Sequence, residues 1–210
     1  MSVKLIDHMG TDLSVVNAAR VSFAKENKEF QVVDDSRLIR YLAKHNHWSP
    51  FGHASLQFHV TAPVFVARQL VKHQVGLVWN EVSRRYVDSE PEFHFVEEWR
   101  GSPDNKKQGS SDEVIDISTH IQEDYINMCT YTYRYLLDKG VCPEQARMVL
   151  PQSMMTEWYW SGTLMAFARV CNLRCKEDAQ KETQDIAYSI DSLCRTQFPV
   201  SWNALRNMPT

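Results

Sequence analysis

The sequence predicts an α+β fold, a central and largely antiparallel sheet flanked by helices, one of them long. Three observations carry that reading. Apolar residues recur at helical spacing in several separate blocks. A clean two-residue alternation occupies 54–62. The blocks do not follow the regular strand–helix alternation of a doubly wound parallel sheet. At 210 residues, with no internal repeat, the chain is expected to form one domain over 1–210.

In chain order, DLSVVNAARVSFAK (12–25) has apolar residues near every 3.6 positions, which predicts a helix. A second helix is predicted behind Asp34, Asp35 and Ser36, through RLIRYLAKHN. WSPFGH breaks that pattern with Pro50 and Gly52. The next segment alternates Ala54, Leu56, Phe58 and Val60 with Ser55, Gln57, His59 and Thr61, which predicts a half-buried strand. Pro63 suits the first turn of a helix running to Gly76. From about 88 to 111 the chain is polar and irregular, which predicts a mobile loop excursion. The longest helical pattern covers 112–139, with Tyr125, Tyr131, Tyr133 and Tyr135 read as packing residues. A short helix (EQARMVL), a strand-like MMTEWYW and helices over 162–173 and 178–197 complete the chain.

Lys and Arg number 23 against 26 Asp and Glu, a net charge of −3, so no bulk attraction draws the chain to nucleic acid. No run nears the roughly 18 apolar residues of a membrane span, and MSVKLIDHMGTDLS has no apolar core of a signal peptide, so a cytoplasmic protein is expected. The five cysteines are scattered, without a CxxC. Cys171 and Cys175 would supply only half a zinc site, and no His stands three to five residues away, so no metal is expected.

The chemistry concentrates in RQLVKHQVGLVWNEVSRRY (68–86). On a continuous helix Gln69, Lys72 and His73 would share one face, and Glu81, Ser83, Arg84 and Arg85 follow at a turn. Paired guanidinium donors beside a hydroxyl suit a phosphate dianion; a solvated basic face with Glu81 as its counter-ion is the plainer reading. Arg147 and Arg174 each interrupt an apolar stretch, where a cation is costly unless paired with an anion or carboxylate. With Arg85 they suggest a pocket for a small phosphorylated molecule. The chain contains neither GxGxxG nor a P-loop.

Several segments resemble the flavin-dependent thymidylate synthases: HWSPFGHASLQFHVTAPVFVARQ (47–69), KHQ and NEVSRRY (72–86), FHFVEEWR (93–100), ARMVLPQSMMTEWYWSG (146–162), and NLR followed by AQKETQDIA (172–187). They cover about half of the chain in the family's order. The resemblance implies a homotetramer with active sites at subunit junctions. It implies FAD as cofactor, NADPH and 5,10-methylenetetrahydrofolate as co-substrates, and conversion of deoxyuridine monophosphate (dUMP) to thymidine monophosphate (dTMP) without a protein nucleophile.

The family pattern makes Gln69, Lys72, Glu81, Ser83, Arg84, Arg85, Arg147 and Arg174 the nucleotide site. Ser83 and Arg85 fall to the phosphate, and Arg174 to activation of the uracil ring. It gives Ser49, Lys72, His73, Gln74 and Glu81 to the flavin, with Arg169 placed to restore a cation. The family's usual Arg-His-Arg reads Lys72-His73-Gln74 here, with eight residues before Ser83 instead of seven, so a bulge or an altered turn is expected. Arg84 replaces a small residue, and Thr163, Met165, Arg169 and Asp178 replace mostly Asn, Arg and His. Such departures suit a divergent branch, for example a viral one working in a host cytoplasm. Two alternatives accompany this reading: a small nucleotide-binding or nucleic-acid-binding module built on Lys72 to Arg85, and a degenerate family member that binds nucleotide without catalysis.

Overall fold

A computed structural model describes residues 1–104, 109–118 and 120–206. It is α+β, with a mainly antiparallel sheet flanked by helices. Strands β1 (Ser2–Met9), β2 (Ser55–Pro63), β3 (Leu77–Glu81) and β6 (Met155–Thr163) form a sheet in the order β1-β2-β6-β3, each pair antiparallel. The alternation in β2 sends Leu56, Phe58, Val60 and Ala62 to the core, where Trp158 and Trp160 of β6 join them. The opposite face is polar: Gln57 donates to Ser161 at 3.0 Å, and His59 meets Glu157 at 3.1 Å.

The core face is covered by α1 (Asp12–Arg20), α2 (Val32–Lys44), α6 (Leu164–Arg174), α7 (Lys181–Gln197) and α8 (Pro199–Arg206), whose buried residues share one cluster with the sheet. Buried Asp12 ties the two ends of the chain together. Its carboxylate accepts from the backbone N–H of Val200 and Ser201 at 2.9 and 2.8 Å, capping α8 from 188 residues away. The short α3 (Val64–Leu70) adds Val66, Ala67 and Leu70 to the same cluster; outside it lie the long α4 (His120–Asp138), α5 (Pro143–Ala146) and a two-stranded ribbon of β4 (Trp99–Arg100) and β5 (Val114–Ile115).

Several boundaries differ from the sequence expectation. The first helix stops at Arg20 and tightens into a 3₁₀ turn over Val21–Phe23, and α2 begins at Val32, ahead of Asp34 and Asp35. The helix expected to start at 112 starts at His120, because Val114 and Ile115 pair with β4. The expected loop excursion at 88–111 carries β4 and a bridge from Phe93 to Met154, and Arg100 pairs with Glu182 of α7. Residues 105–108 lie outside the described residues. Of the four tyrosines read as packing residues only Tyr133 is buried; Tyr125, Tyr131 and Tyr135 are exposed on the single chain.

Candidate active site

Strand β3 delivers Glu81 to the edge of the sheet. Its carboxylate accepts from Thr156 Oγ1 at 2.8 Å and from Trp79 Nε1 at 3.0 Å. Trp79 is fixed in turn by stacking on Trp158, with ring centroids 4.2 Å apart. These three neighbours lock one rotamer of an otherwise free glutamate. Beyond β3 the chain turns at Ser83, whose carbonyl accepts from the Tyr86 N–H at 3.0 Å. Arg84 donates to the Ser89 carbonyl, and Arg85 Nε donates to Ser83 Oγ at 3.2 Å. The Arg85 guanidinium also lies 5.1 Å from the centroid of Tyr86.

A cavity of about 510 Å³ opens beside this turn, lined among others by Thr61, Glu81, Arg84, Arg147, Thr156 and Glu157. That volume is of the size that takes a small-molecule ligand. Arg147 is exposed on a 3₁₀ turn after α5 and, among the described residues, donates only to the Glu144 carbonyl at 3.2 Å. The expectation of a cation buried among apolar residues is therefore corrected for Arg147: its charge stays in solvent. Ser83 Oγ faces an arginine, which cannot take a proton, so nothing prepares it as a nucleophile.

A second cluster forms where α3 meets α6 and α7. The single helical face expected for Gln69, Lys72 and His73 does not exist, because α3 ends at Leu70 and the chain turns through Lys72 and His73. The turn itself creates the contact that matters. Arg174, at the last position of α6, donates from Nε to His73 Nε2 at 3.0 Å. Burial and the Arg174 charge both push the His73 pKa below its usual 6.5, so the imidazole is neutral and can accept. Burial alone lowers the Arg174 pKa. The partner expected for this arginine is an anion; the structure supplies a neutral ring, and among the described residues no carboxylate pairs with it. Beside it, Gln69 Oε1 accepts from the buried Thr183 Oγ1 at 3.1 Å.

Ser49, Lys72, Gln74 and Arg169 are all exposed. Among the described residues, neither Lys72 nor Arg169 pairs with a carboxylate. Cations and donors without protein partners fit a phosphate-bearing group such as a flavin dinucleotide. The extra residue before Ser83 makes no bulge in β3, whose register with β6 is continuous from Leu77↔Gly162 to Glu81↔Trp158. It is taken up outside the strand, where Gly76 adopts φ +76° and its carbonyl accepts from the Thr163 N–H at 3.1 Å. Sequence reasoning missed Thr156 and Thr183. Thr156 had a signal, since it shares the buried parity of Trp158 and Trp160; Thr183 had one at helical spacing from Ile186 and Ile190.

Residues 4–200 match the family described as thymidylate synthase complementing protein. A flavin-dependent thymidylate synthase of Thermus thermophilus is 39% identical over 203 residues, 96% of this chain and 74% of the relative. The chain belongs to the flavin-dependent thymidylate synthases. A relative of the same name from Kosmotoga olearia is 36% identical over 209 residues, 98% of this chain and 90% of the relative. Among solved structures, the UMP/dUMP methylase PolB of Streptomyces cacaoi bound with 5-Br dUMP superposes with a TM-score of 0.86 at 29% identity, covering 99% of this chain and 95% of that one. Among the described residues, no helix is long and apolar enough to cross a membrane.

Proposed function

We propose that residues 1–210 act as one unit, in the cytoplasm, to methylate dUMP reductively to dTMP, with 5,10-methylenetetrahydrofolate as carbon donor and NADPH as reductant through FAD. Family membership supports the reaction. The observation within this chain that carries it is Arg174, a partly desolvated cation held by a neutral histidine and, among the described residues, paired with no carboxylate.

Uracil C5 becomes nucleophilic as negative charge spreads over N3 and O4. A preorganised cation facing that charge lowers the barrier by a few kcal/mol, about 3 in comparable sites. Arg174 is suited to that task because no carboxylate among the described residues pairs with it, and His73 fixes the guanidinium plane without consuming its charge. Gln69, oriented by Thr183, offers an amide to a base edge. Ser83, Arg84, Arg85 and Arg147 suit the phosphate, with Glu81 and Lys72 as further contacts. The flavin would lie against Ser49, Lys72, His73, Gln74 and Glu81, with Arg169 toward its phosphates; when bound it supplies the hydride that completes the methyl group.

His73 and Arg174 do not line the cavity of Arg84 and Arg147. Joining the two halves across subunits of a homotetramer would complete the site. The exposed stripe of Ile121, Tyr125, Met128, Tyr131 and Tyr135 on α4, at helical spacing, supports such an interface.

Tritium release from dUMP labelled at C5 tests the reaction. Release that requires FAD, NADPH and methylenetetrahydrofolate together is expected. A folded tetramer that binds dUMP and releases no tritium would contradict the reading and indicate a degenerate binder.

A further inference from the structure

Directly behind Arg174 lies a cluster the proposed reaction does not use. Cys171 and Cys175 are one helical turn apart, the Cys175 N–H donating to the Cys171 carbonyl at 3.0 Å. Four helical residues rise about 6 Å, inside the Cα separation a disulfide spans, whereas Cβ atoms so placed stand about 5–6 Å apart against the roughly 4 Å of a bridge, so closing it unwinds the last turn of α6. Their sulfurs and an Asp191 carboxylate oxygen all lie within 4.8 Å of one another. Cys171 is fully buried, its Sγ donating to the Ala187 carbonyl at 3.5 Å; Cys175 is only partly covered.

Such a trio resembles a metal site, but the surroundings oppose a cation. Asp191 already accepts from Trp202 Nε1, Arg206 and Arg195, so its charge is spent on two guanidinium groups that would repel a metal. Of the two, Arg206 favours a thiolate at Cys175, against burial and the Asp191 charge. The Cys171 thiol next to Cys175 and the Arg206 charge lower the Cys175 pKa, whereas burial raises that of Cys171. The asymmetry assigns an attacking thiol at the surface and a resolving thiol beneath it.

We propose that Cys171 and Cys175 form a redox-modifiable dithiol that closes to a disulfide and disables Arg174. A low-molecular-weight disulfide such as oxidised glutathione is the oxidant. The Cys175 thiolate attacks one of its sulfurs, breaking that S–S bond and releasing one thiolate. Cys171 then loses its proton and attacks the Cys175 sulfur, expelling the second thiolate. Two protein thiols are oxidised by two electrons and one disulfide is reduced to two thiols. Bridging recasts the last turn of α6, which sets the direction of Arg174.

The test treats the full chain, carrying its flavin, with oxidised glutathione under native conditions, followed by acid quench and tryptic mass mapping. Trypsin cuts after Arg174, so the peptides bearing Cys171 and Cys175 stay together only if bridged. The expected result is that bridged pair, lighter by two hydrogens than its separated reduced peptides together. Cys171→Ala should accumulate a glutathione adduct at Cys175, and Cys175→Ala should leave Cys171 unmodified. Tritium release should fall at least tenfold in the bridged enzyme and return with dithiothreitol. Reaction confined to the exposed Cys142, or a stable adduct at Cys175 with no bridge, would overturn the dithiol. A bridge formed with unchanged turnover would overturn its link to Arg174. Because the bridge is read by mass, its failure is separable from failure of the thymidylate synthase reading.

Discussion

Arg174 Nε donates to His73 Nε2 at 3.0 Å across 101 residues of sequence. The bond exists only while the imidazole is neutral. Burial and the Arg174 charge hold the His73 pKa below 6.5, so the bond is intact at neutral pH. Between the depressed folded pKa and 6.5 the unfolded chain binds more protons than the folded one. The stability contributed by this group is therefore full above 6.5 and is lost as pH falls toward the folded value. Turnover should fall on the same acid limb, and His73→Ala should lower kcat roughly ten- to a hundredfold by releasing the guanidinium. A pH–rate profile of the two proteins checks this: the acid limb assigned to His73 should vanish in the variant.

Thr156 tests the fixing of Glu81. Its hydroxyl donates to the carboxylate at 2.8 Å from a buried position, and Thr156→Val keeps the shape while removing the donor. Loss of one hydrogen bond to a charged group is worth about 1.5–3 kcal/mol, so KM for dUMP should rise roughly ten- to a hundredfold. Initial-rate kinetics at saturating cofactors measures it.

The strands of the sheet were only partly legible in the sequence. β2 declares itself by strict alternation, as does the aromatic half of β6. β1 was hidden because its register slips between Leu5 and Asp7, which breaks the alternation and leaves Ile6 exposed. β3 is five residues inside a segment dense in functional residue types. Its place depends on Gly162, where the partner backbone passes too close for a side chain. α8 is capped by Asp12 from the other end of the chain, a signal no local window contains. At the site, the family's residue types could be read in order, but not the His73–Arg174 bond, since it arises from α3 ending before Lys72.

Gly162 gives a stability prediction. A Cβ there would meet the Gly76 carbonyl and the Leu77 side chain, both at 2.5 Å. Backbone cannot yield as a flexible side chain can, so β3 must move. Gly162→Ala should cost about 1–3 kcal/mol, read as a lower Tm. Gly162→Val should be worse, and both should disturb Glu81 by shifting its strand.

The phosphate assignment is tested at Arg85. Among the described residues its guanidinium is held only by Ser83 and the Tyr86 ring, so Arg85→Ala should leave the fold intact. Loss of a charge-assisted contact to phosphate should weaken dUMP binding about ten- to a hundredfold, with little change for deoxyuridine, which has no phosphate. Calorimetric titration with both ligands separates the outcomes.

The most direct test of the account is Arg174→Ala, measured as single-turnover tritium release from dUMP labelled at C5 alongside its dUMP Kd. If Arg174 stabilises charge on the activated ring, release should fall about a hundredfold or more while Kd changes by less than about tenfold. Equal losses in both, or release close to that of the unaltered chain, would contradict the role given to this arginine.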